Sequence, residues 1–163
     1  LERFFPARQA KVVHAALRLG RAAVAPVTSK RPLNEPAAAF AHLYPHLAGL
    51  ETEALVVVCL NANNRPIFTD VVARGTTNSV AHRAADIFAP AVRHRAVAII
   101  LGHNHPSGSP EPSHQDRMIT CRIRKCGEIL DLPLVDHLVV AGPESYTSIR
   151  DTYWPSLDQF EDR

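Results

Sequence analysis

The most constraining feature of the sequence is a short apolar run followed by a proline-rich loop and an amphipathic segment. Residues 96–101 (AVAIIL) are apolar and mostly branched, which is typical of a buried strand. Residues 106–112 contain three prolines, one glycine and two serines and therefore predict a loop. Residues 113–130 place apolar side chains at helical spacing, and Ser113 with Asp116 fits a capping box at the helix start. This order predicts that the first helical turn returns over the end of the strand.

The same segment carries side chains that bind metals. His103 and His105 are two residues apart, so on an extended chain both point to one side while Asn104 faces away. Asp116, in the first turn of the predicted helix, can complete a set of two imidazoles and one carboxylate. Zinc accepts such ligands, and three protein ligands leave one tetrahedral position open for water. Water in that position becomes a nucleophile near neutral pH, so the segment is a candidate metal-hydrolase centre.

The spacing of these residues, H-x-H-x(7)-S-x(2)-D, is the signature of the JAB/MPN-plus (JAMM) zinc metalloproteases. The fuller string HNHPSG-x-x-x-PS-x-x-D resembles the RadC family within that group. Similar segments elsewhere are RGT at 74–76, AIILGHNHPSG at 98–108, LVDHLV at 134–139 and the residues at 146–148. The resemblance extends over roughly residues 31–155. It implies an α/β fold of the JAB/MPN type (cytidine-deaminase-like), in which a curved mixed β-sheet is flanked by helices.

The resemblance also implies roles for individual side chains around a Zn²⁺ cofactor. The family uses a glutamate on an earlier strand, and the match here is Glu53, directly before the apolar run 55–60. Glu51 lies on the same face of an extended chain and remains the alternative. Glu53 would accept the proton of the zinc-bound water and later deliver it to the leaving amine. Ser113 would donate its hydroxyl to the developing oxyanion.

Composition favours one ordinary globular domain. The 163 residues are 46% hydrophobic and 21% charged, and no apolar run approaches the length of a membrane helix, about 18 residues. Three cysteines, Cys59, Cys121 and Cys126, argue against a disulfide framework and are expected to be small buried or half-buried residues. No secretory signal is visible, and the first residue, Leu1, is not a methionine, which favours a trimmed sequence. We therefore expect a cytoplasmic protein with no membrane contact.

Charge is unevenly distributed along the chain. Residues 1–31 hold seven basic residues and one acidic residue, a net charge of +6, whereas the remainder carries −4. This basic arm predicts contact with DNA, and a solvated helix face is the alternative. RadC-type proteins commonly carry a helix-hairpin-helix module ahead of the metal domain, of which residues 1–30 are long enough for the trailing helix alone. The predicted organisation is a basic helical N-terminal extension at 1–30, the metalloprotease-like domain at 31–155 and a tail at 156–163.

The remaining elements follow from hydrophobic periodicity and turn residues. Helices are predicted at 7–25, at 36–47 with an interruption or end near Pro45, and at 81–92 with an end near Pro90 or just beyond it. Strands are predicted at 55–60, 67–73, 135–141 and 146–149.

The other histidines are assigned no metal ligation. We expect His114 to face solvent, and for His137 a structural role is favoured over tuning of a zinc ligand. Surface or capping positions are expected for the rest, which are His14, His42, His46, His82 and His94.

Three functions are compatible with these features. A zinc metallopeptidase or isopeptidase acting on a protein or peptide is favoured by the complete set of ligands, base and hydroxyl donor. A DNA-associated protein, either a metal-dependent nuclease or an accessory factor in repair or recombination, is the alternative. Nucleases often pair two metals with several carboxylates, whereas this loop offers one carboxylate and two imidazoles, which suits a single zinc. A metal-loaded binding scaffold is the third, and the presence of both Glu53 and Ser113 argues against it.

Overall fold

The structure is a computed structural model that describes residues 6, 9, 11–13, 15–16, 31–75 and 83–160. The predicted helix at 7–25 therefore lies largely outside the described residues, as do His14 and His82. The elements in chain order are α1 (Pro36–Leu47), β1 (Ala54–Leu60), β2 (Pro66–Arg74), α2 (Ala84–Arg93), β3 (Ala98–Asn104), α3 (His114–Ile129), β4 (Leu134–Gly142), β5 (Ser145–Ser148) and α4 (Ile149–Tyr153), followed by a 3-10 helix at Trp154–Phe160.

The five strands form one mixed sheet in the order β2-β1-β3-β4-β5. Strands β3 and β4 are parallel, because α3 carries the chain back across the sheet between them, and the other neighbours are antiparallel. The predicted α/β class with a mixed sheet and flanking helices is confirmed.

Each face of the sheet has its own core. Every residue of β1 and β3 is buried, as expected for central strands covered on both sides. Val56 and Ile100 pack under α1, whereas Val57 and Leu101 pack under α2 and α3. Because side chains alternate along a strand, the odd-numbered residues of β3 face α3. His103 continues that row.

Two prolines lie inside helices that end shortly after them, close to the predicted ends at 47 and 92. Pro45 lies inside α1 and Pro90 inside α2, which ends at Arg93. A proline inside a helix removes one backbone hydrogen bond and crowds the carbonyl four residues earlier. Both helices place buried apolar side chains against the sheet, Leu43 and Leu47 in α1 and Ile87 and Ala91 in α2, and this packing offsets the loss.

Strand β3 is longer at its carboxyl end than the apolar run predicts. It continues past Leu101 through His103 to Asn104, where it still pairs with Val140 of β4. Glycine, histidine and asparagine are poor strand formers by themselves, but a central strand has hydrogen-bond partners on both sides. The first histidine therefore stands on the rigid sheet and not on the loop.

The expectation of a surface or capping position is wrong for His42. Its side chain is 4% exposed on α1, and its Nε2 lies 2.8 Å from the Thr69 hydroxyl oxygen. Burial, with a smaller contribution from the charge of His46, lowers the pKa of His42 to about 4. His94 does occupy the capping position at the end of α2, and His114 is exposed, as predicted.

The cysteines follow the prediction. Cys59 and Cys121 are buried, Cys126 is half-buried, and all three are free thiols. None of the helices within the described residues has the length and apolarity needed to cross a bilayer.

Candidate metal centre

Three potential ligand atoms converge where β3 ends and α3 begins. His103 Nε2 lies 3.0 Å from His105 Nε2 and 3.3 Å from Asp116 Oδ1, and His105 Nε2 lies 3.4 Å from Asp116 Oδ2. Within residues 31–75 and 83–160, no other cluster of three histidine, cysteine or acidic side chains is close enough to hold a metal. These are the three residues that the sequence predicts as ligands.

Strand, loop and helix place them as the sequence predicts. His103 pairs across the sheet with Leu55 of β1 and Val139 of β4. His105 follows the strand end and is held by a hydrogen bond from its main-chain N–H to the Val140 carbonyl. Asp116 is 4% exposed in the first turn of α3. The strand and the helix thus carry one ligand each, and His105 stands at the start of the loop that joins them.

The ring of His105 is oriented by the loop. Its Nδ1 lies 2.9 Å from the Ser109 carbonyl oxygen, which can only accept, so Nδ1 carries the proton. The loop reaches this position through a turn in which the Gly108 N–H donates to the His105 carbonyl, and Gly108 has a φ of 80°, a conformation that favours glycine. His105 Nε2 therefore holds a lone pair directed at the centre.

The ring of His103 is oriented by a buried relay through two further side chains. Thr120 Oγ1 lies 2.6 Å from the Asp116 carbonyl oxygen and 2.7 Å from His137 Nδ1. Because a carbonyl can only accept, the Thr120 hydroxyl donates to it and accepts from His137 Nδ1–H. His137 Nε2 then accepts the Nδ1–H of His103 at 2.9 Å. His103 Nε2 is left with a lone pair that also faces the centre.

This hydrogen-bond pattern fits a bound cation. Two imidazole lone pairs and a carboxylate face one another, and both Nδ1 protons are committed to partners elsewhere. Burial by itself would raise the pKa of Asp116, but the neighbouring His103 and His105 rings and the Ser113 hydroxyl hold it far below its usual range. The carboxylate is therefore ionised, and two imidazoles with one carboxylate are donors that zinc accepts.

Ser113 is the N-cap of α3 and is directed at Asp116. Its hydroxyl donates to Asp116 Oδ2 at 2.6 Å, its main-chain N–H donates to the same oxygen at 2.8 Å, and its Oγ accepts from the Asp116 N–H. The predicted capping box is thus confirmed. Asp116 Oδ1 takes no part in this box and remains for a metal.

Glu53 lies on the metal side of the sheet. The antiparallel pairing of Leu55 with His103 places Glu53 opposite His105 when the register is continued by two residues. The adjacent Asp116 carboxylate is the main cause that raises the pKa of His105, and the negative charge of Glu53 adds to it. Glu53 is half-buried, whereas Glu51 is exposed and lies two residues farther from β1. The geometry favours Glu53 over Glu51, and its catalytic role stays a prediction.

Sequence reasoning assigned no role to Thr120 and favoured a structural one for His137. Thr120 is four residues after Asp116, so both lie on one face of α3, and this spacing is a usable signal. The role of His137 cannot be predicted from sequence spacing, because its contact with His103 depends on the pairing of β4 beside β3.

Comparisons with known proteins show which family this chain resembles. A family model described as "RadC-like JAB domain" matches residues 33–154. The chain is 41% identical over 137 residues to the UPF0758 protein STH371 of Symbiobacterium thermophilum, which covers 84% of this chain and 58% of the relative. UPF0758 proteins of Syntrophotalea carbinolica and Moorella thermoacetica are both 36% identical, covering 90% and 88% of this chain and 64% and 62% of their own lengths. The chain thus spans less than two thirds of these relatives. The resemblance seen in the loop is confirmed.

Proposed function

This chain belongs to the RadC-like JAB domain family, and from that premise we propose that it is a zinc-dependent hydrolase that cleaves an amide bond in a protein or peptide. One observation carries the proposal. The Nδ1 protons of His103 and His105 are both donated to partners outside the centre. Their Nε2 lone pairs therefore converge with the Asp116 carboxylate. Continuing the register of β1 and β3 by two residues puts Glu53 opposite His105, where it would act as a proton acceptor.

The chemistry divides between the metal and the side chains. A zinc ion held by His103, His105 and Asp116 would lower the pKa of a bound water to about 7 and polarise the substrate carbonyl. Glu53 accepts the water proton and delivers it to the leaving amine. Ser113 first donates its hydroxyl to Asp116 Oδ2. To serve as the oxyanion donor it rotates toward the substrate, while its main-chain N–H still holds the aspartate.

Substitution of the general base tests this proposal. We expect Glu53→Gln to keep its zinc but to lower turnover by at least about 100-fold, because the metal ligands remain and the proton acceptor is gone. Zinc-loaded wild type and variant are incubated with a peptide library and with DNA, and the products are identified by mass spectrometry and gel electrophoresis.

Glu51→Gln is the matched control, two residues away and of the same chemistry. It should retain wild-type turnover. Full activity of Glu53→Gln together with loss of activity in Glu51→Gln would move the base to Glu51. Zinc-loaded wild type that cleaves DNA but no peptide would contradict the amide-hydrolase proposal.

The second candidate function is a DNA-associated protein, a metal-dependent nuclease or an accessory factor in repair or recombination. The observation that favours it is the net charge of +6 on residues 1–31. A nuclease of the two-metal type would need further carboxylates, and the single metal-binding group within the described residues contains one. We therefore rank it below the peptidase.

A further inference from the structure

The residue between the two histidines has a contact pattern of its own. Asn104 is 5% exposed, and its side chain points away from the metal centre toward the chain segment that leads into β1. Its Oδ1 accepts the Ala54 N–H at 2.8 Å, and its Nδ2 donates to the Thr52 carbonyl at 3.1 Å. These two backbone groups lie on either side of Glu53. One amide side chain thus spans the residue expected to be the general base.

A third contact completes the support around the same residue. The Gly75 N–H, at the end of β2, donates to the Glu53 carbonyl oxygen at 2.9 Å. The peptide group that joins Glu53 to Ala54 is therefore bonded at both its oxygen and its nitrogen. Gly75 has a φ of 126°, a conformation that residues with a side chain rarely adopt. Glu53 directly precedes the first residue of β1, beyond the regular pairing of that strand. These bonds hold its backbone in place there.

We propose that Asn104 is a positioning residue that fixes Glu53 relative to the metal centre, by bonding the backbone on both sides of it. This inference rests on the proposed function, in which Glu53 is the general base. The three consecutive residues 103–105 then have two roles, since His103 and His105 present ligands to one face and Asn104 holds the backbone of the base from the other. A base on a freely moving segment would lose the alignment that proton transfer needs.

Hydrogen exchange tests the backbone contact without any need for a substrate. In Asn104→Ala, exchange at the Ala54 amide should rise by about tenfold or more, while the amides of 56–60 keep their wild-type rates. Asn104→Asp has the same shape and retains the acceptor for the Ala54 N–H, so it should keep that amide protected. Unchanged exchange at Ala54 in Asn104→Ala, or an equal rise throughout β1, would overturn the proposal.

Cobalt(II) is the probe for the metal centre, because its visible spectrum reports the surroundings of the ion. Glu53→Gln should alter the spectrum of the Co²⁺-loaded protein, and Asn104→Ala should alter it in the same way with Co²⁺ affinity within about threefold of wild type. The double variant should match Glu53→Gln, since the two changes act through one carboxylate.

Asn61 offers a matched control, because its Oδ1 accepts the N–H groups of Asn63 and Arg65 in the turn at the far end of β1. Asn61→Ala should leave both the spectrum and Ala54 exchange unchanged, and a change in either would overturn the proposal. A spectral change in Glu53→Gln that Asn104→Ala does not reproduce would also overturn it. A spectrum insensitive to Glu53→Gln would instead contradict the role of Glu53 in the proposed function, and the exchange result would still decide whether Asn104 holds the backbone.

Discussion

At the scale of single residues, the metal centre depends on which ring nitrogen of each histidine carries the proton. The ligands could be read from the loop sequence because their identity and spacing are local. The relay from His103 through His137 to Thr120 could not, because it joins side chains of β3, β4 and α3 that meet only when β4 pairs beside β3. Asn104 was expected to face away from the metal and does so, but its bonds to Thr52 and Ala54 depend on the register of β1.

The relay predicts a loss of metal affinity on substitution outside the ligand set. Thr120→Val has nearly the same volume but removes the hydroxyl that accepts from His137, and His137→Ala removes the acceptor for His103. Both should weaken zinc binding by about 10–100-fold, because the tautomer of His103 is no longer fixed.

Competition with a chromophoric chelator measures this affinity. His94→Ala is the control. His94, at the end of α2, stacks on Phe68 of β2 and is not part of the metal centre. Wild-type zinc affinity in both Thr120→Val and His137→Ala would refute the relay.

At the scale of elements, the strand–loop–helix unit was predicted from its sequence, and tertiary packing overrides local preference at a few positions. Pro45 and Pro90 are helix breakers by their own chemistry, yet α1 and α2 continue through them. Strand β3 extends into residues with weak strand preference because β1 and β4 pair with it on both sides. Neither effect can be predicted from the sequence of one element alone.

The close approach of α3 to the following turn makes Gly127 a sensitive position. A Cβ added there would lie 2.6 Å from the Leu132 carbonyl oxygen, a backbone atom that cannot move aside cheaply. Gly127→Ala should therefore lower the free energy of unfolding by about 1–3 kcal/mol. Urea denaturation followed by circular dichroism measures the change.

Gly102→Ala provides the comparison within the same fold. Its Cβ would lie 2.6 Å from Leu43 Cδ1, the end of a flexible side chain. The cost should be smaller than at Gly127, and exposed Glu128→Ala should be nearly neutral. A Gly127→Ala protein as stable as wild type would show that α3 and the turn can separate without loss.

At the scale of the whole molecule, composition and alternation gave the α/β class, but the order of the strands was not readable. The pairing of β3 with β4 is long-range and parallel, and it places the carboxyl ends of the two strands side by side. The metal centre forms at that end of the sheet. The domain limits at 31 and 155 and the basic arm at 1–31 remain predictions.

Salt dependence tests the basic arm. If residues 1–31 contact DNA, the logarithm of the binding constant should fall linearly with the logarithm of salt concentration, with a slope of about −0.9 for each phosphate contact. Deletion of residues 1–30 should weaken binding to duplex DNA in a fluorescence-anisotropy titration and leave zinc content unchanged. Equal DNA binding by the intact and shortened chains, or binding by neither, would reduce the arm to a solvated helix face.

Metal content is the most direct measurement on this molecule. The protein is stripped with a chelator, reloaded with zinc, desalted and analysed by plasma mass spectrometry. We expect about one zinc per chain in the wild type and in Glu53→Gln, and a small fraction of that in the double variant His103→Ala, His105→Ala, because two of the three ligands are gone. A wild-type chain that retains no zinc, or a double variant that keeps a full equivalent, would contradict the assignment of His103, His105 and Asp116 as the metal centre.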